Sequence, residues 1–337
     1  MLVKIKTSIM GKKIASLLLI ILTGSFIMVS AQDKTKFKTL KFLYSISGSK
    51  TISGIHNREP NATPARWTNA IDSVTGKFPG LWSGDFLFQK DNVNNRQLMV
   101  DEAVRQWGKG SVINIMWHSC NPAMLEPCGW DSKGVLSKLT DEQWKEITTD
   151  GSVLNKKWKE RVDEVAVYLQ ELKKKGVEVL WRPMHEMNQG VFWWGGRPGP
   201  DGTLKLYQML HDYLTNVKKL NNLIWVWDIQ DFGSLANDAK VYNPGDKYWD
   251  IAALDVYDDK SGYTQEKYNI MVSVSNGKPI AIGECQKLPT SEQLLMQPKW
   301  TFFMGWSELE LSKNTTEQLQ AIHHATNVIT LDQMPGW

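Results

Sequence analysis

VEVLWRPMHEMN, residues 177–188, opens on a continuous apolar run and closes on imidazole and carboxylate. A strand buried on one face alternates apolar and polar residues, whereas a strand buried on both faces, as in a parallel sheet covered by helices, does not. The residues ahead of it supply the other half of the signal. Trp158, Val162, Val165, Ala166, Leu169 and Leu172 recur at three- and four-residue spacing, and Gly176 stands where a C-terminal helix cap belongs. A helix feeding a doubly buried strand is the repeating unit of a β/α architecture.

Seven further runs of this kind occur along the chain, three before it and four after: TISGIHN (51–57), FPGLWSGDFLF (78–88), SVINIMWHSCNP (111–122), NLIWVWDIQD (222–231), YWDIAALDVYDD (248–259), KPIAIGECQ (278–286) and WTFFMGWSEL (300–309). Eight strands with helical patterns between several of them, in about 300 residues, predict an α/β fold of the (β/α)₈ TIM barrel type. Leu204, Tyr207, Leu210, Leu214, Val217 and Leu220 repeat the helical spacing before the fifth run, and Asn314 with Glu317 reads as a capping-box-like start for the last helix. No repeat, low-complexity tract or linker divides residues 40–337, so a single domain is expected. Residues 122–154 form the longest loop-like stretch, and they follow the third run, on the side where barrel loops build active faces.

The first residues read differently. Lys4, Lys6, Lys12 and Lys13 precede an apolar stretch from Ile14 to Val29 and the small-residue end Ser30-Ala31, the pattern of a signal peptide spanning residues 1–31, with a mature domain over 32–337. The expected location is secreted or periplasmic. Without the leader, 35 basic residues stand against 36 acidic ones, a formal charge of −1 in place of +3. No long run of like charge remains, which argues against a nucleic-acid or anionic-membrane partner and for a neutral one. In an oxidising compartment Cys120 and Cys128, eight apart, are expected to bridge, leaving Cys285 as a buried thiol.

If the eight runs are strands, their C-terminal ends bring His56, Asp85, Trp117, His118, His185, Glu186, Asp228, Asp255, Tyr257, Glu284 and Trp306 to one rim. Glu186 ends the fourth strand and Glu284 the seventh, so the two face each other across the barrel mouth. Two carboxyl groups about 5 to 5.5 Å apart are what a retaining glycosidase needs, one as nucleophile and one as acid, then base. The aromatic residues Phe192, Trp193 and Trp194 after Glu186 would desolvate it and favour the protonated form that an acid requires. Indole faces also stack on the C–H faces of sugar rings. A metal is not expected, because an H-E-x-x-H pair would need histidine at position 189, where Gln189 stands.

WRPMHEMNQGVFWWGG (181–196), with MWHSCNP (116–122) upstream and IAIGECQ (280–286) downstream, resembles glycoside hydrolase family 26 of clan A, chiefly secreted β-mannanases, over nearly the whole mature chain. The resemblance implies Glu186 as acid/base and Glu284 as nucleophile. It implies a hydrogen bond near the nucleophile for His185, substrate contact for His118, and Tyr257 holding the nucleophile carboxylate. Trp193, Trp194 and Trp306 would be aromatic walls around the cleaved bond. The implied activity is cofactor-free hydrolysis of β-1,4-linked mannan or glucomannan by a monomer. Mixed-linkage β-glucan or β-1,3-xylan as substrate, and a non-catalytic glycan-binding barrel, remain open at this point. Val191 departs from several relatives, which carry an aromatic residue there.

Overall fold

The computed structural model describes residues 35–337, so the expected leader lies outside the described residues. All eight expected strands form: β1 (Thr51–His56), β2 (Leu81–Phe86), β3 (Val112–Trp117), β4 (Val179–Pro183), β5 (Leu223–Gln230), β6 (Ile251–Val256), β7 (Ile280–Cys285) and β8 (Trp300–Trp306). Each pairs in parallel with the next, and β1 pairs with both β2 and β8, which closes the ring. Nearly every strand residue is buried, the physical reason the runs do not alternate. A ninth strand, β9 (Val328–Ile329), was not expected. Because β2 joins β1 only from Gly54 onward, Thr51 and Ile52 have a free edge, and β9 takes it.

The crossover helix ahead of β4 spans Val153–Lys174. Ser152 caps its start by accepting from the Asn155 N–H, Leu169 and Leu172 lie on its buried face, and Gly176 follows its end at φ 74°. The last helix starts one residue later than its sequence suggests: Thr315 and Gln318 form the capping box, while Asn314 donates to the carbonyls of Gln286 and Glu310. At the opposite end from the strand tips, the helix Lys38–Ile46 inserts Leu40, Leu43 and Ile46 among Ile52, Leu81, Val112, Leu180 and Phe302. The Glu178 carboxylate, just before β4, accepts from the N–H groups of Lys38 and Thr39, fixing this plug to the barrel floor. Among the described residues this helix covers the floor, and the cleft opens at the strand C-termini. The stretch 122–154 is less of a loop than expected, since it holds the helix Asp141–Ile147 with a Thr140–Gln143 capping box. Cys120 and Cys128 are joined in a disulfide. No described helix is long and apolar enough to cross a membrane.

Candidate active site

The end of β4 is built around Arg182, a cation in the middle of an apolar strand with no exposure to solvent. Its Nη1 donates to Glu284 Oε1 at 2.7 Å, its Nε to Asp228 Oδ2 at 3.1 Å, and its Nη2 to Asp255 Oδ2. One guanidinium thus ties together carboxylates from β5, β6 and β7, and each partner offsets part of the desolvation cost of the others. Burial works against the Arg182 charge, but the three carboxylates hold its pKa well above the usual arginine value. Beyond Pro183 the chain turns sharply, with Met184 and Glu186 both at φ 51°, a left-handed conformation rare in non-glycine residues. Asp228 secures the turn by accepting from the Glu186 N–H at 2.8 Å. This turn puts the Glu186 carboxyl over the ring centre.

Glu186, Asp255 and Glu284 come together there, with one carboxylate oxygen of each within 4.8 Å of the others. Among these oxygens the positive charge is Arg182's, and Glu284 has both of its own engaged: Oε1 by Arg182, Oε2 by the Tyr257 hydroxyl at 2.7 Å. Burial, then the Glu284 charge, pushes the Tyr257 pKa well above the usual phenol value, so it stays a donor. Glu186 is held by no cation of its own. Its burial first, and the Glu284 carboxylate next, raise its pKa well above the usual range. The two glutamates therefore differ in surroundings: one hydrogen-bonded by a cation and a phenol, the other desolvated.

A cleft of about 510 Å³ opens over this pair, and His118, His185, Tyr257, Glu186, Glu284 and Trp306 all line it. Asp85, at the end of β2, accepts from the His118 ring Nδ1 at 2.6 Å, leaving Nε2 as that ring's remaining polar atom. Burial alone would raise the Asp85 carboxyl, but His118 and His56 together hold it well below the usual range. Trp306 stacks on His56 with ring centroids 4.3 Å apart. His185 makes no bond to Glu284; its Nδ1 is buried without a partner and its ring meets His118 edge-on at 4.5 Å. Burial lowers its pKa far below the usual histidine value, so the ring is neutral.

Trp193 and Trp194 do not line the cleft, contrary to the expectation that they would be its walls. The chain direction after Glu186 turns both indoles inward, where their N–H groups are spent on the carbonyls of Ser119 and His185. Trp194 stacks behind Phe192 at 4.4 Å, and it is Phe192 that faces the cleft. Opposite it stands Trp130, 56% exposed, between Phe88 and Phe192 and just past the Cys120–Cys128 bridge. Nothing in sequence spacing marks Trp130; the disulfide is the clue that its loop is held in place. Gln189 and Gln230 were also missed, and both line the cleft beside Glu186. Cys285 is buried with its Sγ 3.6 Å from the Met304 carbonyl oxygen, and burial pushes its thiol up, so it packs β7 against β8.

Residues 28–333 match the sequence profile of glycosyl hydrolase family 26. The chain belongs to this family. Among similar members, a mannan endo-1,4-beta-mannosidase of Thermothelomyces thermophilus is 32% identical over 318 residues, covering 88% of this chain and 60% of that protein. The chain thus spans less than two thirds of that relative's length. The structure of GH26A from Muricauda sp. superposes with a TM-score of 0.82 at 36% identity, over 88% of this chain and 95% of that one. A beta-mannanase from a symbiotic protist of the termite Reticulitermes speratus, complexed with gluco-manno-oligosaccharide, gives 0.76 at 27% identity, over 88% and 93%.

Proposed function

We propose that this family 26 protein is a retaining glycoside hydrolase that cleaves internal β-1,4 linkages of mannan or glucomannan. The observation that carries the reading is the approach of Glu186 and Glu284 to within 4.8 Å, close to the separation of about 5 to 5.5 Å used for double displacement and short of the roughly 6.5 to 9.5 Å that leaves room for a water in an inverting site. Glu284, steadied by Arg182 and Tyr257, attacks the anomeric carbon. Glu186, protonated because it is desolvated, gives its proton to the departing oxygen and later takes one from water. Phe192, Trp130 and Trp306 offer ring faces to sugars, and His118 and His185, which line the same cleft, are the proposed polar partners of the axial 2-hydroxyl of a mannose. The similar mannan endo-1,4-beta-mannosidase and the gluco-manno-oligosaccharide bound to the protist beta-mannanase support mannan over glucan or xylan. In this reading the protein is exported by its leader and acts as a monomer.

The test is azide rescue of the two alanine variants on an aryl mannoside with a good leaving group. Glu186→Ala plus azide should yield the β-mannosyl azide, and Glu284→Ala plus azide the α-anomer. Near-native hydrolysis of polysaccharide by either variant would remove that glutamate from its role.

A further inference from the structure

Gln189 occupies an unusual place beside Glu186. Its side-chain Nε2 donates to Glu186 Oε2 at 2.7 Å and also to Gln230 Oε1. A primary amide has two N–H groups, and here both are committed, so the amide cannot turn its oxygen toward the carboxyl. Gln230 is itself fixed at its backbone by Asn188, whose Oδ1 accepts from the Gln230 N–H at 2.7 Å and whose Nδ2 donates to the Gln230 carbonyl at 2.9 Å. Asp238 accepts from the same Asn188 Nδ2 at 2.9 Å. The chain Asp238, Asn188, Gln230, Gln189 thus runs from the β5 side of the barrel to one oxygen of Glu186.

We infer that Gln189, oriented by Gln230, is the positioning residue that decides which oxygen of Glu186 handles the proton. The inference rests on the reading of Glu186 as acid/base. An N–H donated to Oε2 is better accepted by the carbonyl oxygen of the acid than by its hydroxyl, so it favours the carboxyl proton on Oε1. In the first step the Oε1–H bond breaks as the glycosidic C–O bond breaks, the proton passes to the leaving oxygen, and a Glu284 oxygen bonds to the anomeric carbon. In the second step a water proton passes to Oε1 as the water oxygen bonds to that carbon and Glu284 departs. Oε2 accepts from Gln189 throughout.

The bond is stronger to the carboxylate than to the acid, so it favours the ionised form and opposes the effect of burial. The other charged and titratable groups around Glu186 are Arg182 on β4, Asp228 and Asp231 from β5 and its loop, Asp255 and Tyr257 from β6 and its loop, and Glu284 on β7, with the neutral His185 adjacent in sequence. None of these is altered when Gln189 is replaced.

The experiment compares Gln189→Leu with the unaltered full chain on mannopentaose and on a dinitrophenyl β-mannobioside, whose leaving group departs without a proton. The variant should lose about tenfold in kcat/KM on mannopentaose, a small part of the hundredfold or more that a positioned acid contributes, and about twofold or less on the dinitrophenyl substrate. Its basic limb should move up by about one pH unit, the scale of one charge-assisted hydrogen bond. Gln230→Leu, which frees the Gln189 amide to rotate, should shift both readings in the same direction by less. An unmoved basic limb in a folded Gln189→Leu, or equal losses on the two substrates, overturns the inference. Glu186→Ala measured alongside separates the two claims: equal loss on both substrates there removes the acid/base reading, whereas sparing of the dinitrophenyl substrate with wild-type behaviour of Gln189→Leu removes only the role of Gln189.

Discussion

Arg182→Met should destabilise the barrel by about 3 to 5 kcal/mol at neutral pH, the usual cost of leaving buried charges without their partner. Methionine keeps an unbranched apolar stem while removing the guanidinium, and with it the charge that Asp228, Asp255 and Glu284 share and the donor to Met116 Sδ. Burial already raises Asp255 well above the usual carboxylate range and raises Asp228, with Arg182 pulling both back. Without the cation their folded pKa values rise further. A carboxyl whose pKa is higher folded than unfolded adds stability below its unfolded value, about 3.9 for aspartate, and loses it as the pH rises through the folded value. The deficit of the variant should therefore be largest at neutral and alkaline pH and shrink toward about pH 4.5. Urea unfolding of both proteins across this range, with the disulfide intact, measures it directly, and a fall in melting temperature of about 5 to 8 °C should accompany it at neutral pH. A loss under about 1 kcal/mol, or one that stays constant with pH, would refute the idea that Arg182 is the shared counter-ion.

Three further outcomes follow from the site. Replacing Cys120 and Cys128 together by serine should cost about 2.5 kcal/mol, the value for a short closed loop, and should raise KM more than it lowers kcat because Trp130 loses its anchor; unfolding and steady-state kinetics check both. Trp130→Ala should raise KM with kcat little changed, whereas Trp193→Phe, which strands the buried Ser119 carbonyl, should leave KM alone and lower stability by about 1 to 3 kcal/mol. In Glu284→Gln the Glu186 carboxyl should titrate lower than in the intact protein, since one cause of its raised pKa is gone, yet still above the usual range because burial persists; carbon NMR of labelled glutamate reads this.

Much of this was legible because doubly buried strands leave unbroken apolar runs. All eight strands sit within the expected stretches; Glu284 falls on the tip of β7 as expected, while Glu186 lies three residues past the end of β4 rather than on it, and the turn there still brings the two carboxyl groups together. Two-residue β9 carries too little sequence to signal a strand, and it exists only because β1 has an unpaired edge. Adjacency misled in the W-W pair: spacing along a turn does not say which ring faces solvent, and both indoles are held inward by hydrogen bonds to the Ser119 and His185 carbonyls. Arg182 was visible as a charge inside an apolar run, which is itself a sign of a buried ion network, but its three partners come from strands 46, 73 and 102 residues away. Only the closed ring brings them together.

Proton NMR of the first products from unbranched β-1,4-mannan is the most direct test of the central claim. Double displacement by Glu284 and Glu186 predicts that the β-anomer appears first and the α-anomer only later, by mutarotation. Initial release of the α-anomer would contradict the mechanism. Mannan left intact while mixed-linkage glucan or β-1,3-xylan is cut would contradict the substrate.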